Sequence, residues 1–147
     1  LPLDNAFKNA FSPQKGDLFW TTLRTSFGRN EWNQQGYNFT ELINTFKINE
    51  SVSFNINTKY FFSGTKSFGG LGISKHIKLL DNLKLIPEIN TSLKEDADFN
   101  SSITLRYIYQ PQKSVDFYYS NAAGVQDVGQ LLEAEDHRFG IKLNLLY

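Results

Sequence analysis

The sequence contains neither cysteine nor methionine. The absence of cysteine excludes a disulfide framework and thiolate metal sites. The absence of an initiator methionine leads us to expect a processed or partial chain. Acidic and basic side chains number 15 each, and the basic ones are scattered along the chain, so there is no electrostatic argument for nucleic-acid binding.

Long apolar runs are also missing, and none approaches the roughly 20 residues that a transmembrane helix requires. This excludes spanning by helices but not by strands, because a transmembrane strand needs only about 9–11 residues and keeps one polar face. Aromatic residues, in contrast, make up 15% of the chain. Such an aromatic content is typical of membrane barrels and also fits a soluble β protein.

The last stretch of the chain, 136–147, has the clearest pattern. Apolar residues occupy every second position from Phe139 to Tyr147, and mostly polar residues lie between them. Because successive side chains of a strand point to opposite faces, this stretch predicts a strand with one apolar and one polar face. The alternation continues to the terminal aromatic residue, as expected for a strand that closes a barrel in a bilayer.

Seven earlier segments repeat this alternation, weakly in the first two and clearly from the third onward. The predicted strands are 18–27, 38–48, 52–62, 68–79, 83–94, 99–109, 115–121 and 136–147. We therefore predict an all-β fold, an eight-stranded antiparallel up-and-down transmembrane β-barrel. The chain then divides into an N-terminal arm, 1–17, and a β-barrel domain, 18–147.

The predicted connections alternate in length. Short turns follow the second, fourth and sixth strands, whereas longer loops follow the first, third and seventh, with a medium one after the fifth. All short turns then lie at one end, which is the asymmetry expected of outer-membrane barrels. The longer loops 28–37, 63–67 and 122–135 are candidate surfaces for another membrane or surface protein.

The turn lengths also predict which residues face each other across neighbouring strands, because side chains of one face meet only in one register. The predicted neighbours are Phe46 with Phe54, Leu79 with Leu83, and Ser74 with Glu88, with Asp116 diagonal to Arg106.

The alternation does not say which face points inward. If the apolar face is inside, the chain is a soluble lipocalin-like barrel that binds an apolar ligand. We favour the apolar face outside, because the opposite faces combine charges with small residues that suit a narrow eight-stranded interior. The predicted lipid-facing residues are then Phe54, Ile56, Ile73, Leu85, Leu105, Phe117, Ile141, Leu143 and Tyr147.

In the same arrangement, charged residues of the polar faces fill the lumen. The predicted lumen charge network is Arg24, Lys59, His76, Glu88, Arg106, Asp116, Arg138 and Lys142. Because a buried charge requires a partner, we expect ion pairs that plug the pore rather than an open, porin-like channel. We expect no cofactor and no metal, since no carboxylate–histidine cluster has metal-ligand spacing.

The strand count, the loop asymmetry and the ending F-x-I-x-L-x-L-x-Y resemble the small eight-stranded outer-membrane proteins of the OmpA-domain and OmpX type. The resemblance covers the chain from Leu18 onward. It implies an outer-membrane location, contact with membrane lipid, and recognition of Tyr147 by the barrel-insertion machinery. Departures are the weak first two strands, Lys75 on an apolar face, and Pro87 within a strand.

A second, local resemblance is carried by Tyr119-Ser120-Asn121-Ala122, which is similar to the region around the active-site serine of outer-membrane lipid A deacylases. It implies an esterase with Ser120 as nucleophile. That family has a histidine two residues before the serine, where this chain has Tyr118, and His137 would have to substitute for it. We therefore expect a structural or partner-binding role, with the esterase as an alternative.

Overall fold

The computed structural model describes residues 16–29, 36–64, 66–93, 99–122, 131 and 136–145. All eight predicted strands are present, with ends that differ from the predicted ones by a few residues. They are β1 (Phe19–Arg29), β2 (Gly36–Lys47), β3 (Val52–Ser63), β4 (Lys66–Leu80), β5 (Leu83–Ser92), β6 (Phe99–Gln110), β7 (Lys113–Ser120) and β8 (Arg138–Leu145). The predicted N-terminal arm lies outside the described residues, apart from its last two positions.

The strands form one antiparallel up-and-down sheet in the order β1 to β8, which is curved into a half-barrel. Each strand pairs with the next one along the chain. No ladder joins β1 to β8 within the described ranges, so these two are the edge strands. The all-β, eight-stranded antiparallel fold is thus confirmed.

The two faces of the sheet differ sharply in chemistry. The alternating apolar residues lie on the convex face, where Ile141 is 67% and Ile73 is 50% exposed. Polar and charged residues lie on the concave face, where Lys59 is only 3% and Asn90 only 2% exposed. The apolar residues therefore face outward, and the interior of the curve is mainly polar.

Two predicted pairs are confirmed, since Phe46 faces Phe54 and Ser74 faces Glu88. The pair of Leu79 with Leu83 is wrong, because a register shift between Lys78 and Leu80 brings Leu80 opposite Leu83. A bulge of this kind inserts an extra residue into one strand.

The diagonal placement of Asp116 and Arg106 is also wrong. The two residues face each other directly. Only Pro111 and Gln112 form this turn, and Gln112 has a φ of 66°. This turn and a shift between Ile108 and Gln110 set the register of β6 and β7, and neither is visible in the alternation.

Pro87 was predicted to disturb its strand. Paired residues of β4 and β5 stop at Ser74–Glu88 and resume at Ile77–Leu85, so the ladder is interrupted beside Pro87. The cause is that proline has no N–H to donate to a ladder.

The predicted loop 63–67 is mostly strand. Ser63 pairs with Lys66, so β3 and β4 are joined by residues 64–65 alone. The Phe61 and Phe68 rings, whose centroids are 4.9 Å apart, extend the packing of the two strands to this end. The candidate loops are therefore those after β1 and β7.

Each edge strand carries a glycine that faces a tyrosine of its neighbour. Gly28 of β1 faces Tyr37, and Gly140 of β8 faces Tyr118. A Cβ on either glycine would overlap the tyrosine ring. Aromatic side chains that cover a cross-strand glycine stabilise sheet edges and allow the strands to curve.

Candidate functional site

Lys59 is the centre of a buried ionic cluster on the concave face. Its side chain is fully buried, and its Nζ lies 3.3 Å from Glu88 Oε1 and 3.5 Å from Glu41 Oε1. Nζ also donates a hydrogen bond to Asn90 Oδ1. Arg24 of β1 adds a second cation, with its Nη2 2.7 Å from Glu41 Oε2. Two cations, two anions and one amide thus lie close enough to pair with each other, which isolated buried charges cannot do. The Lys59 and Glu41 side chains are buried, whereas those of Arg24 and Glu88 are 31% and 18% exposed.

Gly72 on β4 makes room for this cluster. A Cβ at Gly72 would come within 2.8 Å of Lys59 Nζ and would also overlap the Asn90 side chain. A glycine in a strand often marks the close approach of another group. Here it allows the lysine to extend across the face of β4 toward β5.

A second ionic cluster lies on β6, β7 and β8. Arg106 makes a bidentate pair with Asp116, with Nε and Nη2 each 2.7 Å from a carboxylate oxygen. Asn144 donates to Asp116 Oδ2 at 2.9 Å and to Ser114 Oγ at 3.1 Å. Lys142 faces Asp116 across the ladder. Two parallel N–H···O bonds make a geometrically specific, strong contact.

A cavity of about 190 Å³ separates the two clusters. It is lined by side chains from all eight strands, including Arg24 of β1 and Lys142 of β8. His76 lies on its wall, with Nε2 3.1 Å from Asn55 Nδ2. The two edge strands therefore contribute to one small cavity.

The concave face is closed by aromatic residues at the end where the longer loops lie. Phe39 is completely buried there, and the Tyr37 ring lies 6.0 Å from the Phe61 ring. Leu131, from the connection after β7, is 1% exposed and packs against Gly70, where a Cβ would overlap it. Part of the longest connection is thus folded onto the concave face.

The opposite end, where the short turns lie, is wider and basic. A cavity of about 430 Å³ opens there between the first five strands. Lys47 and Lys84 line it, together with Trp20 and His76. Lys78 also lines it, and its Nζ is 2.6 Å from Asp81 Oδ1 in the turn between β4 and β5.

All eight residues of the predicted charge network lie on the concave face. Arg24, Lys59, Glu88, Arg106 and Asp116 form the ion pairs described above. His76 and Lys142 line the central cavity. Arg138 instead lies at the mouth, where its Nη2 donates to the carbonyl of Ala122 at 2.6 Å.

Sequence reasoning missed Glu41, Asn90 and the buried Phe39. Phe39 and Glu41 lie on the face of β2 opposite Leu42, and apolar residues occur on both faces of that strand, so its alternation does not identify the inner face. The sequence did contain a signal for Glu41: it is adjacent to Leu42 in the strand, so the two side chains must point to opposite faces. Asn90 could have been found from its place between Glu88 and Ser92 on the polar face of β5.

The residues that were predicted to face lipid lie on the convex face, apart from Tyr147, which is outside the described residues. Phe117, Leu143 and Ile56 are 49%, 64% and 38% exposed. Their contact with lipid stays a prediction.

The esterase candidates are not arranged as a catalytic group. Ser120 is 1% exposed, and its hydroxyl donates to the carbonyl of Ser101 at 3.1 Å and accepts from the N–H of Ala122 at 3.0 Å. His137 stacks on Tyr119, with ring centroids 4.9 Å apart. Tyr118 covers Gly140. Among the described residues, no hydrogen bond joins Ser120 to His137. The hydrogen bonds of the Ser120 hydroxyl are therefore structural, because they connect it to backbone groups.

No group of three or more metal-ligating side chains gathers in the part of the chain that the structure describes. No helix within the described ranges is long and apolar enough to cross a membrane.

No family model, no curated protein and no solved structure matches this chain. The resemblance to the small outer-membrane barrels therefore stays a prediction.

Proposed function

We propose that the chain forms an outer-membrane β-barrel with a polar, plugged lumen. Its role is structural or partner-binding, through the connections after β1 and β7. The observation that carries this proposal is the inverted distribution of side chains. Buried ion pairs occupy the inside of the curve, and large apolar side chains such as Phe139, which is 84% exposed, cover the outside.

This distribution favours lipid over water as the solvent of the convex face. Monomeric soluble proteins rarely expose a contiguous apolar patch of more than a few hundred Å². Exposed apolar residues here extend over strands β3 to β8. A soluble lipid-binding barrel requires the reverse arrangement, with apolar side chains lining the cavity.

Closure of the sheet belongs to the same proposal. Unpaired backbone groups cost several kcal/mol each in hydrocarbon, so a spanning sheet must have no free edge. Arg24 of β1 and Lys142 of β8 line one cavity of about 190 Å³, which supports a short distance between the two edges. We therefore propose that β1 and β8 pair directly in the membrane.

The interior argues for a plug rather than a channel. Two ionic clusters occupy the middle of the concave face, and aromatic residues with Leu131 cover one end of it. Eight strands enclose only enough space for side chains. Partner binding through the outer connections is the role that such a closed scaffold leaves available.

The test is refolding of the urea-denatured chain into lipid vesicles, followed by electrophoresis in SDS with and without boiling. A folded barrel migrates differently from its boiled form. We expect the shift for the unsubstituted chain and for Leu80→Lys, whose charge lies beside a short turn. Leu143→Lys puts a charge on the convex face of β8. This variant should lose the mobility shift, because a lysine facing the bilayer core costs about 2–4 kcal/mol. A chain that stays soluble and unshifted without detergent would contradict the proposal.

A further inference from the structure

The convex face of β1 and β2 differs from the rest of the convex surface. Its facing residues form cross-strand rows that alternate between apolar and polar. Phe19–Phe46 and Leu23–Leu42 are apolar rows, and Thr21–Asn44 and Thr25–Thr40 are polar rows. Asn38 extends the second polar row. We call Thr21, Thr25, Asn38, Thr40 and Asn44 the polar strip.

The members of the polar strip are hydrogen-bonded to each other. Thr21 Oγ1 donates to Asn44 Oδ1 at 3.0 Å. Asn38 Nδ2 donates to Thr25 Oγ1 at 2.9 Å, and Thr40 Oγ1 donates to Asn38 Oδ1 at 2.9 Å. Such a network orients the side chains. Thr21 is only 9% exposed and supports Asn44 from below, so the other four members present a fixed set of donors and acceptors.

No convex position from Phe19 to Phe27 or from Asn38 to Phe46 carries a charge. On β8, by comparison, the convex positions are Phe139, Ile141, Leu143 and Leu145, without a polar residue. Lipid offers no hydrogen-bond partner, so a hydroxyl or amide gains nothing from facing it. An uncharged surface with polar rows is instead suited to contact with protein inside the bilayer.

The chemistry of the strip fits a second copy of this chain. Each hydroxyl and each amide both donates and accepts hydrogen bonds, so a two-fold axis can bring polar row against polar row without any unpaired charge. Asn44 donates one amide N–H to the carbonyl of Ile56 at 3.3 Å, which leaves its second N–H for a partner. The exposed Leu23 and Phe27, at 58% and 77%, would supply the apolar contact between the rows.

We propose that two copies associate in the membrane through the convex face of β1 and β2. This inference rests on the proposed membrane position. It also gives the weak alternation of the first two strands a physical reason, because a strand that faces protein need not be uniformly apolar.

The test uses the absence of native cysteine. Thr40→Cys places one thiol within the polar strip, and Leu105→Cys places one on the convex face of β6 as a matched control. Both variants are refolded into vesicles of neutral lipid, checked for the SDS mobility shift, and oxidised. We expect disulfide-linked dimers from Thr40→Cys at about tenfold the yield of Leu105→Cys.

A second arm tests the chemistry of the strip. Asn38→Leu with Asn44→Leu, added to Thr40→Cys, should lower the dimer yield about tenfold while the mobility shift remains. Inserted protein that stays monomeric, or that cross-links equally from both faces, would overturn the inference. Loss of the mobility shift in the unsubstituted chain would instead refute the membrane proposal, so the two failures are distinguishable.

Discussion

The same substitution, lysine to methionine, can be made on each face of the sheet, at Lys59 and at Lys75. Lys59 is buried among carboxylates on the concave face, and Lys75 is exposed on the convex face of β4. Methionine is close to lysine in length but has no charge. Lys59→Met and Lys75→Met therefore remove the same group from two environments, and the proposal predicts free-energy changes of opposite sign.

The expected loss for Lys59→Met follows from its contacts. Removing one partner of a buried ion pair costs about 3–5 kcal/mol, because the other charge stays buried. Arg24 remains 2.7 Å from Glu41, and the Glu88 side chain is 18% exposed, so water can solvate it in part. We therefore expect the lower end, about 3 kcal/mol, which is roughly a hundredfold change in the unfolding equilibrium.

For Lys75→Met we expect stabilisation. Lys75 lies near Ile73, the middle residue of β4, so the proposal puts its charge close to the bilayer centre. An outward lysine near the centre costs about 2–4 kcal/mol, and methionine removes that cost. Snorkelling of the long side chain reduces the gain, which we expect to be about 2 kcal/mol.

The assay is urea unfolding of the protein in vesicles, followed by the fluorescence of Trp20 and Trp32. The midpoint should fall for Lys59→Met and rise for Lys75→Met, with unchanged slopes. An unchanged midpoint for Lys59→Met would refute the reasoning about the concave cluster. A fall for Lys75→Met would refute the reasoning about lipid on the convex face.

Two further predictions use the same unfolding assay and the cysteine-free background. Gly72→Ala should lower the free energy of unfolding by about 1–3 kcal/mol, because the new Cβ would displace the Lys59 side chain. Gly69→Ala is the control, since its Cβ would meet only ordinary contacts and the unfolding midpoint should change little. Equal midpoints for the two variants would show that the cluster tolerates the displacement. Cysteine at Leu23, combined in turn with cysteine at each convex position of β8, should form an intramolecular disulfide for at least one pair if the barrel closes. A series in which no combination forms an intramolecular disulfide, including the one with Ile141→Cys, would contradict direct pairing of β1 and β8.

The sequence predicted the strands well because each strand from β3 onward separates apolar from polar residues with period two. β2 was harder, because Phe39 and Ile43 lie on the same face as Glu41, opposite Leu42. The concave face of β2 carries both apolar and charged residues for a physical reason. Phe39 belongs to the aromatic group that covers the concave face at the end where the longer loops lie. Alternation cannot reveal such a cover, because it depends on residues that meet from different strands.

Register was predicted only where no bulge intervened. Phe46 and Phe54 face each other as the turn length required, but extra residues near Leu80 and Gln110 changed the pairing beside two turns. A bulge is a local backbone event that does not change which residues are apolar. The direct contact of Arg106 with Asp116 could therefore not be predicted from the face pattern alone.

The charges around the central cavity bear on what the interior can do. Three cations, Arg24, Arg106 and Lys142, and three anions, Glu41, Glu88 and Asp116, line it. Channels that select by charge use rings of one sign, which attract an ion and exclude its opposite. Alternating signs that pair with each other attract no excess of either ion, and they hold neighbouring strands at fixed distances. The arrangement is therefore better suited to locking a narrow barrel than to conducting through it, which leaves the loops and the convex face as the surfaces for function.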